Sequence, residues 1–173
     1  MSFEKLWKKC RLNPDDFQTW TSLLDFVEKE VYRKGVKAIP LSIDLWTAYL
    51  DIAMELHHGQ PNSESFMRKL YEEAIDAAGL EFRSDPLWEH YISWETAHNR
   101  IFLIRCLYDR LLATPTQMYF QNWDSFKKLV EDNHPKDLIT DAEFAHFHGQ
   151  VNPTAAAMRA AIYAASVIKQ QQE

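Results

Sequence analysis

Four times along this chain a tryptophan is followed at i+3 and i+6 by further large apolar side chains. The sets are Trp20 with Leu23 and Phe26, Trp46 with Tyr49 and Ile52, Trp88 with Tyr91 and Trp94, and Trp123 with Phe126 and Leu129. Such spacing runs down one flank of a helix, whereas a strand would need alternation. Trp88 lies 42 residues after Trp46, and Trp123 lies 35 after Trp88. A second series interleaves with the first. Tyr32-Arg33-Lys34-Gly35, Tyr71-Glu72-Glu73-Ala74 and Tyr108-Asp109-Arg110-Leu111 each lead within a few residues to Pro or Gly, which stop a helix. Two interleaved series with a period near 40 residues predict helix–turn–helix repeats stacked as an all-α superhelix, a TPR-like solenoid.

Composition agrees. Only 4 Gly and 7 Pro among 173 residues leave few tight turns, which argues against a β-sandwich. Helices are expected over 2–11, 14–38, 42–57, 63–78, 86–98, 101–113, 116–132, 140–148 and 154–170, with no strand. Asn13-Pro14-Asp15-Asp16 and Asp85-Pro86 read as helix starts, Thr140-Asp141-Ala142-Glu143 as a capping box, and Asn152-Pro153 as the opening of a last helix. No apolar run approaches the roughly 20 residues of a membrane span. Two cysteines are too few for a disulfide framework or a zinc ribbon and fit a reduced compartment.

The recurrent aromatics have a packing role in this reading. A repeat cannot bury its apolar face alone, and Trp and Tyr bury roughly 150–250 Å² each. Trp20, Tyr32, Trp46, Tyr49, Tyr71, Trp88, Tyr91, Trp94, Tyr108 and Trp123 are therefore structural repeat positions. Small residues at Gly35, Ala38, Ala74 and Ala77 let a facing helix approach.

Leu45-Trp46-x-x-Tyr49-Leu50 and Leu87-Trp88-x-x-Tyr91-Ile92-x-Trp94-Glu95 resemble the first helix of HAT (half-a-TPR) repeats, and the Tyr71 and Tyr108 segments resemble the second. Asn13-Pro14-Asp15-Asp16-Phe17-x-x-Trp20, Val31-Tyr32-Arg33-Lys34-Gly35 and Phe82-Arg83-Ser84-Asp85-x-Leu87-Trp88-Glu89 are similar to the N-terminal part of the pre-mRNA-processing factor 39 family. The likeness covers roughly residues 3 to 148. It implies a nuclear splicing protein associated with the U1 small nuclear ribonucleoprotein and 5′ splice site recognition. The repeats would act as a protein-binding scaffold of about three and a half right-handed units, without catalytic residues or cofactor. The partners it implies are U1 particle proteins and a second HAT protein in a homo- or heterodimer. A TPR-like adaptor in mRNA 3′-end processing or chaperone work is the alternative. Residues 1–150 form the expected solenoid and 151–173 an Ala-rich C-terminal helix or tail. Family members continue into further repeats, so the chain resembles a shortened member whose dimer region is absent.

The family would carry two more helices between Glu30 and Val31. Here Phe17, Trp20, Leu24, Val27, Val31 and Ala38 keep a heptad-like stripe across that junction. One fused helix from about Asp15 to Ala38 is expected, a hybrid of two repeats joined at 30/31 and fraying at Gly35.

The remaining chemistry-bearing residues give no site. His146 and His148 would stand about 200° apart on a helix, so one face cannot present both to a metal. His57-His58 reads as a helix end. Cys10, among Lys8, Lys9 and Arg11, has no His to form a dyad and is expected to be an exposed, incidental thiol. Gly35, Gly59, Gly79 and Gly149 are too scattered for a phosphate loop. The carboxylates Glu28, Glu30, Glu72, Glu73, Asp109 and Glu131 are expected to be solvated or paired along their own helices. Lys5, Lys8, Lys9 and Arg11 form one basic stripe and Arg33, Lys34 and Lys37 another. With a net charge of −6 and the tryptophans on packing positions, direct RNA contact is not expected.

Overall fold

A computed structural model describes residues 2–149 and 155–172. Among the described residues there are ten helices and no strand. The chain divides into two compact units, Met1–Gly79 and Leu80–Glu173.

The first unit holds α1 (Phe3–Leu12), α2 (Phe17–Ala38), α3 (Ile43–His57) and α4 (Ser63–Ala78), each packed on the next. The helix expected from residue 14 begins at Phe17, because Asp16 rather than Asn13 caps it. The Asp16 carboxylate accepts from the backbone N–H of Gln18 (3.1 Å) and Thr19 (3.4 Å). Pro14 stays outside the helix, and its carbonyl accepts from the Trp20 indole N–H at 2.9 Å. The same device recurs one repeat later, where Trp46 Nε1 donates to the Pro40 carbonyl at 2.8 Å. In both turns an indole six residues downstream of a proline ties the entering chain to the helix it opens.

Helix α2 runs through Glu30 and Val31 without a break, as expected, but the heptad-like stripe is not its buried face. Phe17, Leu24 and Val31 are 81%, 66% and 62% exposed, and Ala38 is exposed as well. The residues that α2 buries are Leu23 and Val36. The reason is tertiary: the faces of α2 that meet α1 and α3 carry Leu23 and Val36. Leu23 joins Leu6 and Cys10 in a small core flanked by Trp20 and Phe26. The helix does not end at Gly35 either; Ile39 N–H closes on the Gly35 carbonyl at 2.9 Å. A Cβ at Gly35 would stand 3.1 Å from Leu45 Cδ2, so this glycine lets α3 come close. Ala74 is fully buried, Ala77 half-buried.

The second unit contains α5 (Asp85–Ala97), α6 (Ile101–Ala113), α7 (Tyr119–Asp132), α8 (Pro135–Leu138), α9 (Asp141–Gly149) and α10 (Ala155–Gln172). Helix α6 is its hub, in contact with α5, α7, α8 and α10. The short α8 was not expected from the sequence; His134 Nδ1 caps it by accepting from Lys136 N–H. Helix α7 starts at Tyr119 rather than 116. Gln117 N–H is drawn instead to the Phe82 carbonyl at 2.8 Å, and Met118 N–H to the buried Asp85 carboxylate. Asp85 also accepts from Asn122 Nδ2 at 2.8 Å, so a residue expected to start α5 braces the turn before α7. The capping box at Thr140 and Glu143 forms reciprocally. Asn152-Pro153 lies outside the described residues.

The C-terminal segment is a helix and belongs to this unit. Met158, Ile162 and Ser166 of α10 are buried, Arg159 donates to the carbonyls of Val130 and Glu131, and Tyr163 Oη donates to the Lys127 carbonyl. Ser166 Oγ donates to Asp109 at 2.8 Å, beside the Arg105–Asp109 ion pair at 3.2 Å.

Candidate partner-binding groove

Helices α2, α3 and α4 enclose a groove of about 450 Å³. Its floor is apolar: Val36 from α2, Trp46 and Tyr49 from α3, and Phe66 and Leu70 from α4, with Pro40 at one end. Its rim carries Arg33 and Lys37 one turn apart on α2 and Lys69 and Glu73 one turn apart on α4. The i, i+4 spacing places each pair on one helix flank.

The rim is only partly neutralised from within. Arg33 holds Glu30 in a two-pronged pair, Nε to Oε1 at 3.1 Å and Nη2 to Oε2 at 2.8 Å. That bond keeps the Glu30 carboxyl below the usual carboxylate range and raises the Arg33 guanidinium. Lys37 and Lys69 are exposed and make no ion pair among the described residues. The floor is rigid. Trp46 and Tyr49 are buried, and burial pushes the Tyr49 phenol up. Phe66 has its ring 4.0 Å from the His57 imidazole, with Lys29 Nζ 5.5 Å from the ring centre. Lys29 also donates to His57 Nε2 at 2.9 Å, leaving Nδ1 to meet Gln60 Oε1 at 3.2 Å.

A smaller cavity of about 280 Å³ in the second unit, lined by Phe82, Leu112, Ala113, Thr114, Pro115, Thr116 and Tyr119, carries no charge. Cys10 is fully buried rather than exposed, because α1 turns it into the core with Leu6 and Leu23. His57 ends α3 as expected. His146 is exposed, and the His148 side chain lies outside the described residues. Among the described residues no three His, Cys, Asp or Glu side chains converge as metal ligands, and no helix is long and apolar enough to cross a membrane.

Of the structural repeat positions, Trp46, Tyr49, Tyr71, Trp88, Tyr91 and Trp94 are buried, and Trp20, Tyr32, Tyr108 and Trp123 are half-buried. Trp88 is 2% exposed, with the Arg110 guanidinium 5.4 Å from its ring centre. Trp123 lies 5.7 Å from Phe126 and 6.2 Å from Tyr163. These rings fill helix contacts, and two of them, Trp46 and Tyr49, also line the groove.

The model of the PRP39 N-terminal HAT repeat matches residues 29–128. The chain belongs to that family. The HAT repeat therefore accounts for the paired helices, an α-α superhelical fold class. Pre-mRNA-processing factor 39 of mouse and that of human are both 35% identical to this chain, over 82% of it and 28% of the relative. The mRNA 3′-end-processing protein rna14 of Schizosaccharomyces pombe is 25% identical over 58% of the chain and 16% of that protein. The chain thus spans less than a third of the length of these relatives. Since 82% of 173 residues is about 142, the 185 positions aligned with the mouse factor include about 43 with no residue of this chain opposite them. That is close to the length of one HAT repeat.

Sequence reasoning marked Arg33 and Lys37 as a basic stripe but did not see the groove. Lys69 had no signal, because its relation to α2 is set by how α4 packs.

Proposed function

We propose that this HAT-repeat chain is a non-catalytic, protein-binding scaffold in pre-mRNA splicing, working in the nucleus with the U1 small nuclear ribonucleoprotein at 5′ splice sites. The observation that carries this reading is the match to the PRP39 N-terminal HAT repeat, together with 35% identity to mammalian pre-mRNA-processing factor 39 over 82% of the chain. The buried repeat aromatics support a role in presentation rather than chemistry. Stacked helix pairs offer grooves and edges to partner segments, among them a second HAT protein.

A hybrid first repeat is part of the same reading: the two helices the family would carry between Glu30 and Val31 are absent in this reading, and α2 bridges the join; the roughly 43 aligned positions with no residue of this chain opposite them support it. The exposed Phe17, Leu24 and Val31 support it, since a missing neighbour leaves its contact face uncovered. The likeness to rna14 favours mRNA 3′-end processing as the second reading.

Affinity purification of the tagged chain from nuclear extract, followed by mass spectrometry, separates the two. Recovery of U1 particle proteins is expected. Recovery of cleavage factors in their place overturns the splicing reading.

A further inference from the structure

Resting on the scaffold reading, we propose that the groove between α2, α3 and α4 binds a short acidic segment of a partner protein. A large apolar side chain of that segment would seat on Val36, Trp46 and Leu70, while its carboxylates face Lys37 and Lys69.

Charge complementarity argues for this occupant. The chain carries a net −6, yet three of the four charged side chains lining the groove are cations. Glu30 occupies Arg33, whereas Lys37 and Lys69 line the same groove with no ion-pair partner among the described residues. Two lysines without ion-pair partners, against the single carboxylate of Glu73, above an apolar floor match a segment that alternates carboxylates with one or two large apolar residues. The volume of about 450 Å³ lies in the range of sites that enclose a ligand side chain. A nucleic-acid strand suits the groove less well. Base stacking needs a free aromatic face, but Trp46 and Tyr49 are only 6% and 5% exposed and the Phe66 ring is contacted by His57 and Lys29.

The probe is a fluorescein-labelled peptide of alternating aspartate and leucine, titrated against the full chain by anisotropy. Binding should weaken as salt rises. The Lys37→Glu/Lys69→Glu double variant should lose affinity by about tenfold or more. Both lysines are exposed, so the variant's thermal melt should match the parent. Lys8→Glu/Lys9→Glu on α1 should leave affinity unchanged. In ¹⁵N-resolved NMR spectra the Trp46 indole resonance should move on binding and that of Trp88 should not.

Absence of binding overturns the proposal. So does an affinity that ignores the Lys37/Lys69 reversal, or one that falls equally with the α1 control. Preferential binding of single-stranded polyuridine through the same lysines also overturns it. Recovery of U1 particle proteins by a chain that fails to bind the peptide would sink this proposal and leave the splicing reading standing. Peptide binding without those proteins would do the reverse.

Discussion

Each conspicuous aromatic has a definite task at the scale of single residues. Trp20 and Trp46 are half-hydrophobic staples: the ring packs, and the indole N–H holds a proline carbonyl six residues back. Trp88 is nearly inaccessible, so much of its worth is volume. Trp88→Ala should cost about 3–5 kcal/mol, read as a lower urea midpoint, because a large cavity opens where neighbours cannot collapse. Position in sequence did not decide which apolar residues matter. Leu23 and Leu24 are neighbours of identical chemistry, yet the first is 5% exposed and the second 66%. Leu23→Ala should cost about 2–5 kcal/mol, whereas Leu24→Ala should stay within about 0.5 kcal/mol. Equal losses would mean that α2 packs by its other face.

Among the elements, α2 carries the argument. Its 22 residues depend on a capped start, a tolerated glycine and two neighbouring helices, α1 and α3. The Asp16 carboxyl is held below its ordinary value, first by its bond with the Thr19 hydroxyl and also by backbone N–H groups. A depressed carboxyl contributes stability that is present above its unfolded pKa and lost as pH falls through the folded one. Asp16→Ala should therefore fray the first turn of α2 at neutral pH, seen as faster amide exchange at Gln18 and Thr19. The difference from the parent should vanish on acidification below the carboxylate range. An unbroken α2 also implies slow amide exchange across residues 29–32. Fast exchange there would restore a loop between two separate helices. Most helix boundaries were legible in sequence from apolar spacing and Pro or Gly stops. The start of α7 was not, since it depends on Asp85, over 30 residues earlier, capturing Met118 N–H and Asn122.

For the molecule as a whole, stability rests on aromatic burial in each compact unit. Burial raises the phenols of Tyr49 in the first unit and Tyr108 in the second. For a raised phenol the folded state holds its proton longer, so its stability is intact below the unfolded pKa near 10 and declines as pH climbs above it. Thermal melts should therefore fall on alkalinisation past about pH 10, and Tyr49→Phe with Tyr108→Phe should blunt that fall. The sequence by itself determined the helical class, the repeat period and the HAT likeness. These depend on residue type and spacing within one helix, which are local. Tertiary structure decided which side of α2 is buried, why Gly35 and Cys10 sit where they do, and that Lys37 and Lys69 share a groove. Those outcomes depend on where a neighbouring helix lies. A residue's own spacing places it on a face, but only packing decides whether that face meets another helix or water.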